Sequence, residues 1–146
     1  MAPGTLYPSR PDEIVSVALE YSIDTGLRLV TLTGVQVPDF DEWRRAMLKI
    51  LSHPDFRPGF NFLTDRRDAQ QAPTTDYLRQ VVEFLENHRA ELAHCRWALV
   101  VSTPAGFGMG RMAMALCEGL TLRVQVFTNL RDARVWLGVR GLPTPV

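Results

Sequence analysis

The chain has 146 residues, of which 46% are hydrophobic and 22% charged. That length suits one compact domain whose core is large enough to need no disulfide or metal staple. Sixteen basic residues against sixteen acidic ones leave no formal net charge, which argues against a general nucleic-acid binder with its basic excess.

Residues 1–13 carry Pro3, Pro8 and Pro11 and little apolar periodicity, so they read as a loose arm before a single domain spanning 14–138. Val15, Val17, Leu19 and Tyr21 alternate with Ser16, Ala18 and Glu20, the period-2 mark of a half-buried strand. Asp24-Thr25-Gly26 supplies turn chemistry, and the run from Leu27 to Thr33 alternates again, completing an antiparallel hairpin that stops at Gly34. Asp39 with Glu42 three residues on is a capping box, and Phe40, Trp43, Met47 and Ile50 follow on one helical face. Pro54, Pro58 and Gly59 forbid continuation, and Phe60-Asn61-Phe62-Leu63-Thr64 is a short apolar strand running into Asp65-Arg66-Arg67-Asp68.

Thr74 or Thr75 caps a second helix with Leu78, Val81, Val82, Leu85 and Leu92 on its stripe. Trp97 to Val101 is continuously apolar, as expected of a central strand covered on both faces. Ser102-Thr103-Pro104 opens a third helix, striped by Met109, Met112, Ala113, Leu116 and Leu120. Leu122, Val124 and Val126 mark a last, half-covered or edge strand. Asn129 caps a final helix carrying Ala133, Trp136 and Leu137, ended by Gly138, and residues 139–146 read as a second flexible terminus. The order β-β-α-β-α-β-α-β-α gives an α/β domain with a mixed five-stranded sheet flanked by four helices. Only the hairpin is antiparallel, because strand–helix–strand units require parallel strands and right-handed crossovers.

Four blocks together carry a family resemblance: Pro54 to Ala69, Arg96 to Val101, Phe107 to Met112, and Phe127 through Ala133 to Trp136-Leu137. In these the chain resembles the SpoIIAA-like branch of the STAS superfamily, the sulphate-transporter and anti-sigma-factor-antagonist domains, from Ile14 to Gly138. The resemblance implies a five-stranded mixed sheet flanked by helices and no established catalytic activity. One departure matters: antagonists carry a phosphorylatable Ser in an Asp-Ser-Ser/Thr-Gly segment after the third strand. Here that segment reads Asp68-Ala69-Gln70-Gln71-Ala72-Pro73-Thr74-Thr75-Asp76, so the kinase switch does not transfer.

No stretch reaches the ~20 apolar residues of a membrane span, and Met1 to Pro11 lacks the apolar centre of a signal peptide. Two cysteines, Cys95 and Cys117, make no framework and suit a reducing, cytoplasmic setting. Lys49 is the sole lysine, a bias ascribed to genome composition.

Ligands of open parallel sheets favour the carboxyl ends of the strands. Three signals fall there. Asp65 and Asp68 could act as an acid and base, or Asp65 and Arg67 could form a loop-ordering ion pair with Arg66 solvated. Gly106-Phe107-Gly108-Met109-Gly110-Arg111 could present amides and a guanidinium to an anion, or its glycines could let a helix approach the sheet while Arg111 pairs with Asp65 or Asp68. The spacing matches neither a dinucleotide fingerprint nor a P-loop. Thr74-Thr75-Asp76 occupies the antagonists' phosphorylation position, or is an ordinary cap.

His53, His88 and His94 are scattered, no Cys clusters with His, and Ser102 lacks a G-x-S-x-G elbow, so neither metal nor cofactor nor nucleophile is expected. Trp43, Trp97 and Trp136 read as core, Met109 and Met112 as filler, and Met114 as part of an adaptable surface. The sequence therefore points to a non-enzymatic regulatory or ligand-sensing module. A small anion or a protein partner would bind at Asp65, Arg67, Asp68, Ser102, Phe107, Gly108, Gly110 and Arg111. The alternative is an apolar-ligand carrier, as Sec14-like lipid carriers are by fold analogy, with a pocket between sheet and helices lined by Phe107, Met109 and Phe127. Homodimerisation through an uncovered sheet edge or helix face is open to such a fold.

Overall fold

A computed structural model of the protein describes residues 14–16, 19–69 and 71–139. The expected arms at 1–13 and 140–146 lie outside the described residues, whereas Val139 packs against the core. Six strands make one sheet in plain chain order: β1 (Ile14–Ser16), β2 (Leu19–Asp24), β3 (Leu29–Thr33), β4 (Asn61–Arg66), β5 (Arg96–Val101) and β6 (Arg123–Phe127). These are the five expected strands plus β1, a three-residue edge piece. The first alternating run divides into β1 and β2, which pair antiparallel with a register irregularity.

Five helices accompany the sheet: α1 (Phe40–Leu51), α2 (Thr75–Asn87), the single-turn α3 (Arg89–Leu92), α4 (Pro104–Leu116) and α5 (Leu130–Leu137). The predicted second helix breaks at His88 (φ −117°, ψ 29°), which leaves the helical region, so fully buried Leu92 belongs to α3. The caps are those the sequence announces. Asp39 Oδ1 accepts from Glu42 N–H at 2.8 Å while Glu42 Oε1 accepts from Asp39 N–H at 3.0 Å. Thr74, Thr103 and Asn129 accept from Tyr77, Gly106 and Asp132 N–H. Gly138 ends α5 at φ 75°, a left-handed conformation that a side chain resists.

β2 and β3 form the hairpin, and β3, β4, β5 and β6 run parallel. All three crossovers advance the same way along the sheet. Right-handed crossovers of that kind put their helices on one face, and α1, α2 and α4 do pack together there. Their shared core contains Trp43, Met47, Ile50, Phe62, Phe84, Leu85 and Trp97. The chain leaves β6 with no further strand to reach, so α5 folds back under the other face. It covers β4, β5 and β6 through a smaller core of Leu63, Ala98, Val100, Ala133 and Leu137. Phe127 and Trp136 pack with each other in this second layer, their ring centroids 5.6 Å apart. Strand β5 is thus buried on both sides, as its unbroken apolar run requires.

Candidate functional site

The turns after β4 and β5 meet. Ser102 Oγ donates to the Arg67 carbonyl at 2.7 Å, fastening one loop to the other. Within the first loop Arg67 forks onto Asp65, Nε to Oδ1 at 2.9 Å and Nη2 to Oδ2 at 2.8 Å, and its backbone N–H reaches the same carboxylate at 3.1 Å. Burial pushes the Asp65 carboxyl up, but the Arg67 hydrogen bonds, with the Arg67 and Arg134 charges, hold it below its ordinary value. The loop-ordering ion pair is the arrangement observed. Both forks of the guanidinium face are then spent on Asp65.

Residues 106–111 are not a loop. They lie inside α4, where Gly106 N–H is taken by Thr103 Oγ1 and Phe107 N–H by the Thr103 carbonyl. Gly110 is the close-approach residue: a Cβ built there would sit 2.6 Å from Val126 Cγ2. Gly108 faces open space. Arg111 is exposed further along the helix and pairs with neither Asp65 nor Asp68, because a full helical turn separates it from the rim. Met112 is 38% exposed rather than core, accepting from Thr75 Oγ1 at 3.8 Å. Asp65 and Asp68 instead border a hollow of about 210 Å3 with Glu20, Thr33, Gly34 and Val35. The described residues that line it include three carboxylates, Asp65 already paired with Arg67, and no cation to hold an anion.

A different cavity opens at the same rim. About 140 Å3 in volume, it lies between the sheet and α1, α2 and α4. That is close to the roughly 150 Å3 at which an apolar-lined void stays dry and admits a small aromatic molecule. Its floor is Leu32, Thr64, Trp97, Leu99 and Val124; its walls are Leu78, Val81, Val82 and Leu85 of α2 and Met109, Ala113 and Cys117 of α4. Small side chains at every turn of α4 leave the space. This explains why Leu99, Val81, Val82 and Val124 are only half-buried on faces that periodicity assigns to core. Of the expected lining, Met109 is present; Phe127 lies on the α5 side of the sheet and Phe107 is outside the cavity. Trp43 and Trp97, both core residues, reach its wall, and Trp97 Nε1–H donates to Thr64 Oγ1 at 2.8 Å.

Arg66 is the residue that sequence reasoning placed wrongly. Strand alternation turns Asp65 toward α5 and Arg66 toward the cavity, where it is half-buried rather than solvated. Burial pushes its guanidinium below the ordinary value, with Tyr77 opposing. Its Nη2 donates to the Gln36 carbonyl at 2.6 Å. The available signal was parity: Phe62, Thr64 and Arg66 share a face.

Both cysteines are free and buried, and Cys117 lines the cavity. Burial pushes the Cys95 thiol up to about 12 and the Cys117 thiol up to about 11 from an ordinary 9.0, and raises the Tyr77 hydroxyl as well. Above pH 9 the unfolded chain loses protons that the native state keeps, so native stability falls as pH climbs toward those raised values and is undiminished below 9. Urea unfolding midpoints should hold from neutral pH to pH 9 and then decline, and Cys95→Ala should flatten the decline. A midpoint that stays constant to pH 11 would contradict this.

A crystal structure of an uncharacterized DUF3478-family protein from Shewanella loihica PV-4, described as having a SpoIIAA-like fold, superposes with a TM-score of 0.56. The match covers 82% of this chain and 94% of that one at 15% identity. The fold is SpoIIAA-like. No family model matches the chain, and the search of curated proteins by sequence gives no match. At that identity the SpoIIAA-like neighbour speaks for architecture alone. Among the described residues no helix is long and apolar enough to cross a membrane.

Proposed function

We propose that this SpoIIAA-like domain is a non-enzymatic small-molecule-binding module whose site is the apolar cavity between the sheet and α1, α2 and α4. The observation that carries the reading is the cavity itself: a space at the strand carboxyl ends walled by three helices and floored by four strands. Pockets of this kind, apolar with a few polar groups at the mouth, are the usual form of small-ligand sites. Of the two ligand classes the sequence left open, the geometry favours the apolar one. Arg67 is occupied by Asp65, and the glycine amides serve α4.

The groups around the cavity also favour binding over catalysis. The Cys117 thiol is held protonated, and Ser102 Oγ donates to a backbone carbonyl rather than to a base. Since Trp43 and Trp97 line the space, occupancy reads directly in tryptophan emission. Hexan-1-ol should change that emission saturably, and Ala113→Leu, which fills the cavity from α4, should abolish the response while leaving the circular dichroism spectrum intact. An unsaturable response, or one that Ala113→Leu leaves unchanged, would overturn the assignment.

A further inference from the structure

We infer that the cavity's ligand is an organic acid, a single carboxylate on an elongated apolar body, with its head held at the rim by Arg66 and Tyr77 and its tail laid between α2 and α4. The inference rests on the cavity being a binding site and goes on to name the chemistry of what fills it.

Among the described residues that line the space, Arg66 is the one that carries charge. A guanidinium has five N–H donors, and this one has a single hydrogen-bond partner, the Gln36 carbonyl, and no carboxylate. The contrast with its neighbour is direct: one residue along the chain, Arg67 is closed by a forked pair to Asp65. A half-buried cation without a counter-charge is costly to hold, and an anion is what would offset that cost. Tyr77 lies within electrostatic reach of Arg66, and its hydroxyl makes no hydrogen bond among the described residues, so a second donor is open beside the first.

Two protein carboxylates lie near Tyr77, those of Asp39 and Glu42. Both are engaged in the α1 capping box, and neither is within ion-pair distance of Arg66. The remainder of the lining sets the body of the ligand. From Gly106 to Cys117, the α4 residues that line the space span about 16 Å at a rise of about 1.5 Å per residue. The residues of that stretch that line the cavity are apolar, so they suit an extended chain rather than a compact polar ring. A planar carboxylate matches the planar fork of an arginine, whereas a neutral hydroxyl head would leave the cation uncompensated.

The test titrates the full chain with hexanoate and with hexan-1-ol, a neutral probe of equal length that the cavity's volume also admits, following tryptophan emission. Hexanoate should bind about tenfold or more tightly than hexan-1-ol, the range of a charge-assisted hydrogen-bonded pair. Arg66→Met should remove that preference and leave hexan-1-ol affinity within about threefold; Tyr77→Phe should reduce the preference in part. Should Arg66→Met fail to fold, Arg66→Lys serves instead, keeping charge but losing the fork and with it part of the preference. Equal binding of the two probes by the unaltered protein, or a preference that survives Arg66→Met, would overturn the head-group assignment while leaving the cavity as a site. Failure of both probes to bind would overturn the cavity reading and this inference together.

Discussion

Phe62→Ala is expected to lower unfolding free energy by about 3–5 kcal/mol, measured by urea denaturation at neutral pH. The side chain is fully buried near the start of β4 and stacks on Trp97 with ring centroids 4.2 Å apart and planes 13° from parallel. Phe56 closes on it at 6.1 Å, and Trp97 in turn stacks on Trp43 at 6.5 Å. Removing one ring therefore takes away a transfer contribution, several aromatic contacts and the support of Trp97, and leaves a void beside an existing cavity. Domains of this size are stable by about 5–15 kcal/mol, so the loss is about a fifth or more of the whole. A change below about 1 kcal/mol would mean that the aromatic stack does not organise the main core. Because Trp97 lines the cavity, the same variant should also shift the tryptophan emission that reports its occupancy.

The two glycines of α4 should respond in opposite directions to the same change. In a helix interior Gly→Ala gains about 1 kcal/mol by reducing the freedom of the unfolded chain. At Gly108 a Cβ meets nothing within 4 Å, so Gly108→Ala should realise most of that gain. At Gly110 the same methyl would lie 2.6 and 2.9 Å from two carbons of Val126, closer than packed atoms tolerate. Gly110→Ala should therefore push α4 away from β6 and destabilise by about 1–3 kcal/mol despite its helix propensity. Val126→Ala in the same chain, which removes the Cγ2 contact at 2.6 Å and keeps the Cβ contact at 2.9 Å, should recover part of the loss, a coupling that a double-mutant cycle measures. Equal effects at the two positions would show that α4 does not seat on β6 through Gly110.

The local elements were legible because their signals are local. The capping box at Asp39 and Glu42, the hairpin turn at Asp24 to Gly26 and the apolar run at Trp97 to Val101 each lie within a few residues of the structure they specify. The Asp65–Arg67 pair spans two residues and was readable for the same reason. The glycines of α4 were harder. Their spacing suits either a phosphate-cradling loop or a close helix, and the decision depends on Val126, sixteen positions downstream in β6. Sequence reading placed the site in loops converging beyond the carboxyl ends of the parallel strands. The observed order runs straight from β1 to β6, so the site arises instead from small residues on α4 facing the sheet.

The chain by itself determined its elements, their order, their caps and the parity of each strand, since periodicity and capping act over at most two helical turns. Only the folded molecule decided that α1, α2 and α4 share a face, that a space remains beneath them, and that Arg66 points into it. A side chain's surroundings are set by elements distant in sequence, and no local pattern records which neighbour will stand above it or how far away.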